Sequence, residues 1–149
     1  MPKKISNLEF PKSRYWYNEW IDKQDKDLKV LDVGKSIHWD YSDHFKNYKN
    51  IDNDNKNNPD IVGDIENFIF NEKFDLVLLN GMYECCDIPS ALENIEGITD
   101  RVICGFVTNE YKPYKPEWKS FNGDMKLFKN WKIEEVIGFK EYIYIIITK

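Results

Sequence analysis

The chain is 149 residues long, with a formal net charge of −5 and 42% hydrophobic, 15% aromatic and 32% charged residues. That length suits one domain, 1–149, and leaves no room for a separate substrate domain. The charge balance makes nucleic acid an unlikely partner, since phosphate binding needs clustered positive charge, and Cys85, Cys86 and Cys104 have the spacing of neither a metal site nor a disulfide framework, so no metal and a reducing compartment are expected.

The opening Met1-Pro2-Lys3-Lys4-Ile5-Ser6-Asn7 lacks the apolar core of a signal peptide. The C-terminal apolar run, Tyr142 to Thr148, is far shorter than the roughly 20 residues that span a bilayer, so a cytoplasmic protein with no membrane partner is expected. Residues 1–24 read as an N-terminal segment and a covering helix. In that helix Ser13 serves as the cap and Trp16, Tyr17, Trp20 and Ile21 form one aromatic stripe.

The core, 28–149, starts with Leu28 to Val33, whose continuous hydrophobicity predicts a strand buried on both faces. Ile37, Tyr41, Phe45 and Tyr48 recur at helical spacing and predict a helix over about 40–47, joining two parallel strands by a right-handed crossover. The Asn/Asp-rich stretch 53–60 is a loop, 61–65 a short strand, and 66–72 at most a brief helix. Phe74 to Leu79 reads as a strand, and Asp87 and Pro89 open a helix with Ala91, Leu92 and Ile95 inward and Gly97 at its end. A fifth strand spans 101–108. Asn122 is placed to cap a helix carrying Met125, Leu127, Phe128 and Trp131. Strands over 132–137 and 142–148 follow, joined by only Gly138, Phe139, Lys140 and Glu141, a hairpin-length link that makes the last strand antiparallel. Left at an edge, this seven-residue, largely apolar run would invite aggregation, so a central position is expected.

Four of these strands end in Asp, Asn or Gly: Leu31-Asp32-Val33-Gly34, then Asp52, then Gly63-Asp64-Ile65, and Asn80-Gly81. They would set a row of polar groups along one sheet edge, where open α/β sheets bind ligands. Asp75, at the opposite end of its strand, is expected to serve structure alone.

These tips, taken in order with the closing hairpin, resemble a class I S-adenosylmethionine-dependent methyltransferase over about four-fifths of the chain. The resemblance implies an α/β, three-layer Rossmann-like methyltransferase fold: a mostly parallel seven-stranded sheet with a C-terminal antiparallel hairpin. It implies S-adenosyl-L-methionine as cofactor and a small-molecule or carbohydrate-like methyl acceptor. Asp32, Gly34, Lys35 and Ser36 would lie at the methionine end, Asp52 on the ribose diol, Asp64 and Ile65 about the adenine, and Asn80 and Gly81 where the sulfonium faces the acceptor.

The family's first loop carries three alternating glycines, whereas this chain has Gly34, Ser36 and His38. His38 and Glu84 are the candidate bases. Tyr83, Tyr111 and Tyr114 are candidates for the acceptor side. The altered loop also suits a second reading, a non-catalytic domain of the same fold that binds a nucleoside or a protein. A nicotinamide-dinucleotide domain is a third, although G-x-G-x-x-G is absent.

Overall fold

In the computed structural model, residues 2–81, 87–108, 110 and 123–149 are described. Seven strands form one sheet in the spatial order β5 (Ile61–Val62), β4 (Asn47–Asp52), β2 (Lys29–Val33), β6 (Leu76–Asn80), β7 (Arg101–Val107), β9 (Tyr142–Thr148) and β8 (Lys132–Gly138). The pairs from β5 through β7 are parallel, and β9 runs antiparallel to both β7 and β8. The last strand is thus central and inserted beside the fifth, as the hairpin and its unbroken apolar run require. A two-stranded antiparallel ribbon, β1 (Lys3–Lys4) with β3 (Trp39–Asp40), lies apart from this sheet.

Period-two alternation divides the strands between two faces. On one, Val30, Leu76, Leu78, Ile103, Tyr144 and Ile146 meet α1 (Lys12–Asp22) through Tyr17, Trp20 and Ile21, with Trp39, Tyr41 and Phe45 completing the layer. On the other, Leu31, Val77, Leu79, Val102, Cys104, Ile145 and Ile147 meet α2 (Ile88–Glu96) through Ala91, Leu92 and Ile95. Asp87 caps α2, its carboxylate accepting from Ser90 N, with Pro89 in the first turn, where a proline forfeits no hydrogen bond. Asp75 accepts from Lys29 N at 2.8 Å and so ties β6 to the start of β2.

Three expected elements are corrected. Residues 40–47 form turns instead of a helix: Asp40 accepts from the backbone N and the hydroxyl of Ser42, and β4 already begins at Asn47. The apolar spacing is met because Tyr41 and Phe45 are buried from a loop, while Ile37 is 62% exposed and belongs to no stripe. Short polar side chains that bond nearby backbone divert a chain from helix. The helix expected to be capped by Ser13 begins two residues earlier, with Pro11 at its cap, and Ser13 is buried. The helix expected from Asn122 is only a single 3-10 turn, Met125–Phe128, capped by Asp124; Asn122 lies outside the described residues. Over 66–72, where at most a brief helix is expected, the chain makes turns, with Asp64 accepting from Glu66 N.

Among the described residues, no helix is long and apolar enough to cross a membrane, and no group of three or more His, Cys, Asp or Glu is arranged to hold a metal ion.

Candidate functional site

The tips of β5, β4, β2 and β6 lie side by side, and a cavity of about 610 Å³ opens over them. Its walls include Asp32, Gly34, Lys35, Ser36, Asp52, Asp64, Ile65, Asn80 and Gly81. The sheet therefore brings all nine sequence-derived cofactor residues to one space. That size lies within the range of small-molecule pockets.

Gly34 leaves β2 at φ +84°, and its backbone N donates to Ile51 O at 2.7 Å. A side chain there would be strained but would meet nothing within 4 Å, so the backbone is open to a ligand. Lys35 N next donates to Asp52 Oδ2 at 3.0 Å, pinning the β4 tip to the β2 loop. Asn57 Nδ2 reaches the same oxygen at 3.3 Å, and Asp54 N donates to Asp52 Oδ1 at 2.9 Å. A carboxylate offers about four acceptor positions. One position on Oδ1 thus remains for a ligand, and the long Asn57 contact is the one most readily exchanged for a second.

Asp64 lines the cavity beside buried Ile65, with one carboxylate oxygen engaged by Glu66 N at 2.9 Å. Ser36 accepts from His38 N and Trp39 N, both at 3.1 Å, so its hydroxyl organises the turn where the family has a glycine. His38 also lines the cavity. Its Nδ1 is 3.0 Å from Ser6 Oγ, its carbonyl accepts from Ile5 N, and its ring stands against Phe10. That leaves Nε2 as the ring nitrogen for any base role. Glu84, Tyr83, Tyr111 and Tyr114 lie outside the described residues.

Asp32 is 4% exposed and receives the Tyr48 hydroxyl at 2.5 Å. Burial pushes its carboxyl up to about 7, an effect that the Tyr48 bond and the Arg14 charge only partly offset. The same burial, with Asp32 beside it, holds the Tyr48 phenol well above its ordinary range.

Sequence reasoning missed Arg14, Asn57, Tyr48 and Tyr142. Arg14 lines the cavity and donates from Nη1 to Tyr41 Oη at 2.8 Å. A guanidinium has five N–H donors and stays charged, so it brings positive charge to the cavity wall facing Asp32. Its signal was present: Arg14, Tyr17, Asn18 and Ile21 share the i, i+3, i+4, i+7 spacing of the buried stripe, an unusual place for arginine. Tyr142 is anchored at the far end of the site, accepting from Gly81 N at 3.1 Å and donating to the Asn80 side chain.

No sequence-family model matches the chain, and no curated protein matches it by sequence. Solved structures do match in shape. The N-methyltransferase NodS from Bradyrhizobium japonicum WM9, in complex with S-adenosyl-L-homocysteine, superposes with a TM-score of 0.74 at 12% identity, over 96% of this chain and 89% of that one. An S-adenosylmethionine-dependent methyltransferase from Clostridium acetobutylicum ATCC 824 gives 0.65 at 14% identity, over 95% and 92%. The 1,6-didemethyltoxoflavin-N1-methyltransferase of Burkholderia thailandensis, with bound 1,6-didemethyltoxoflavin and S-adenosylhomocysteine, gives 0.64 at 10% identity, over 99% and 94%. The fold is therefore that of the class I S-adenosylmethionine-dependent methyltransferases, as the ordered strand tips and the closing hairpin imply.

Proposed function

We propose that this chain binds S-adenosyl-L-methionine across the tips of β5, β4, β2 and β6 and transfers its methyl group to a small-molecule acceptor. The observation that carries this is the Asp52 carboxylate, fixed by Lys35 N and Asp54 N in the wall of a cavity that the open Gly34 turn also lines. Bound methyltransferase neighbours of the same fold hold S-adenosylhomocysteine, which supports the choice of ligand.

The residues present fit that ligand. Asp52 is suited to a ribose diol, through Oδ1 and through the position that Asn57 vacates. Asp64 and Ile65 supply a carboxylate and an apolar wall at the adenine end. Arg14 supplies positive charge for the amino-acid carboxylate, and Asp32 lies where an ammonium favours its ionised form. Bound S-adenosylmethionine supplies a methyl group on a positively charged sulfur, taken by in-line attack of the acceptor. The chain's task is then alignment and exclusion of water. His38 Nε2 is the group within the cavity wall that is suited to take a proton from an oxygen acceptor.

Thermal denaturation with S-adenosylmethionine, S-adenosylhomocysteine or NAD at millimolar concentration tests the reading. A rise in Tm with the first two and none with NAD is expected. A rise with NAD alone would place the protein among dinucleotide binders. Ligand binding without methyl transfer to any of a broad panel of small acceptors would identify a non-catalytic nucleoside-binding domain.

A further inference from the structure

Tyr142 lies at the start of β9, two strands from β6, and its hydroxyl nevertheless reaches the β6 tip. It does so by crossing β7 at Gly105, the residue paired with Asn80 on one side and Tyr144 on the other. A Cβ at Gly105 would stand 2.5 Å from Asn80 Oδ1 and 2.9 Å from the Tyr142 ring and hydroxyl. The contact therefore exists only because residue 105 has no side chain. Tyr142 itself is 9% exposed and packs against the Tyr144 ring at 4.9 Å, so it has little freedom to leave.

The atoms in contact fix the direction of each bond, since an amide oxygen can only accept. Gly81 N can only donate, so at 3.1 Å it uses a lone pair of the Tyr142 hydroxyl. The hydroxyl's one proton goes to Asn80 Oδ1. The Asn80 amide is thereby oriented with its carbonyl turned onto Gly105 and Tyr142. Its NH₂ is the end left for the cavity that Asn80 lines. Gly81, at φ +81°, turns the chain directly after it.

Position along the sheet says what that NH₂ would meet. Strands are about 4.8 Å apart, so the β6 tip lies about 10 Å from the β4 tip, with β2 between. With ribose at Asp52, Asn80 stands at the sulfur end, where the transferable methyl and its acceptor meet. This placement rests on the cofactor reading above.

We propose that Tyr142 is a positioning residue that holds the Asn80 amide with its NH₂ toward the methyl-transfer position, so that the site recognises acceptors offering a lone pair there, such as a carbonyl, hydroxyl or unprotonated nitrogen, and disfavours a protonated amine. A freely turning amide would serve both, since its two ends have opposite hydrogen-bonding character. The latch removes that choice, and a site built to donate rejects a partner that can only donate.

The probes are S-adenosylhomocysteine and the analogue in which a carbon bearing a primary ammonium replaces the sulfur, its ammonium standing where the methyl stands. Their dissociation constants are measured by calorimetry on the wild type, Tyr142→Phe and Asn80→Asp, with thermal denaturation confirming that each variant is folded. The wild type is expected to prefer S-adenosylhomocysteine by at least tenfold. Tyr142→Phe frees the amide to turn and should narrow that preference at least threefold. Asn80→Asp, which can only accept, should reverse it, and it decides the matter if Tyr142→Phe does not fold. A merely structural Tyr142 would weaken both ligands equally, so an unchanged ratio in folded Tyr142→Phe would overturn the proposal, as would the absence of reversal in Asn80→Asp. Wild-type preference for the ammonium analogue would overturn it too. These results leave the cofactor reading intact, whereas no binding of either ligand to the wild type would sink that reading and this proposal with it.

Discussion

Against α2, the sheet presents isoleucine, leucine and valine with Cys104 and Phe106, and among the described residues no tyrosine is buried there. Against α1, the sheet presents Tyr142 and Tyr144, joined by Tyr17 from α1 and Tyr41 from a loop, and buried Asp32 and Asn18 lie among the polar groups of that side. The difference follows from where the cavity is. Alternation along β2 and β6 puts Asp32 and Asn80 on the α1 side, in line with Val30 and Leu78. A wall that continues into a polar site needs rings that are apolar along the body and carry a hydroxyl at the tip. The α2 face meets the cavity only through apolar side chains such as Ile51 and Ile65, and otherwise supplies cohesion.

The largest effect should come from the aliphatic face. Ile95→Ala removes a fully buried side chain on α2 and is expected to cost about 2–5 kcal/mol of stability, measured by denaturant unfolding. The affinity of the folded fraction for S-adenosylhomocysteine should be unchanged. A loss of affinity as large as the loss of stability would break the division between the faces.

The next effect concerns the polar cost of the α1 face. Asp32 titrates near 7 when folded against about 4 when unfolded, so between those pH values the native state holds the extra proton and stability falls as pH rises. Asp32→Asn keeps an acceptor for Tyr48 and removes the titration. Its stability relative to wild type should grow from pH 4 to pH 7, by at most about 4 kcal/mol, and stay level above that. Parallel stability curves for the two proteins across that window would contradict the buried position of Asp32.

Gly105→Ala should be smaller, about 1–3 kcal/mol, because a Cβ there overpacks the Tyr142–Asn80 contact. Wild-type stability in this variant would show that the latch is not closed.

Much of the architecture was legible in the sequence because strands buried on both faces announce themselves as continuous apolar runs. Leu76 to Leu79 and Tyr142 to Thr148 could be nothing else, and the hairpin-length link between β8 and β9 fixed their direction. The tips were legible for a related reason: Asp32-Val33-Gly34 and Asn80-Gly81 end such runs abruptly. The segment 40–47 was misread because tertiary burial of Tyr41 and Phe45 imitates a helical period, and only the local bonds of Asp40 to Ser42 reveal the turns. Tyr142 could not be assigned from local pattern, and Arg14 left only its place in the helical stripe as a clue. Each reaches the site through space, one from α1 and the other across a glycine two strands away.

The claim at the centre is that Asp52 holds the ribose of S-adenosylmethionine, and calorimetric titration with S-adenosylhomocysteine tests it most directly. The wild type should bind one equivalent, and Asp52→Ala should bind at least tenfold more weakly with its folding almost unchanged, since a hydrogen bond to a charged group contributes about 1.5–3 kcal/mol. Asp54, whose carboxylate caps the next 3-10 turn by accepting from Lys56 N, should matter much less when replaced by alanine. No heat with wild type at millimolar ligand, equal affinity in Asp52→Ala, or a larger loss in Asp54→Ala would contradict the account.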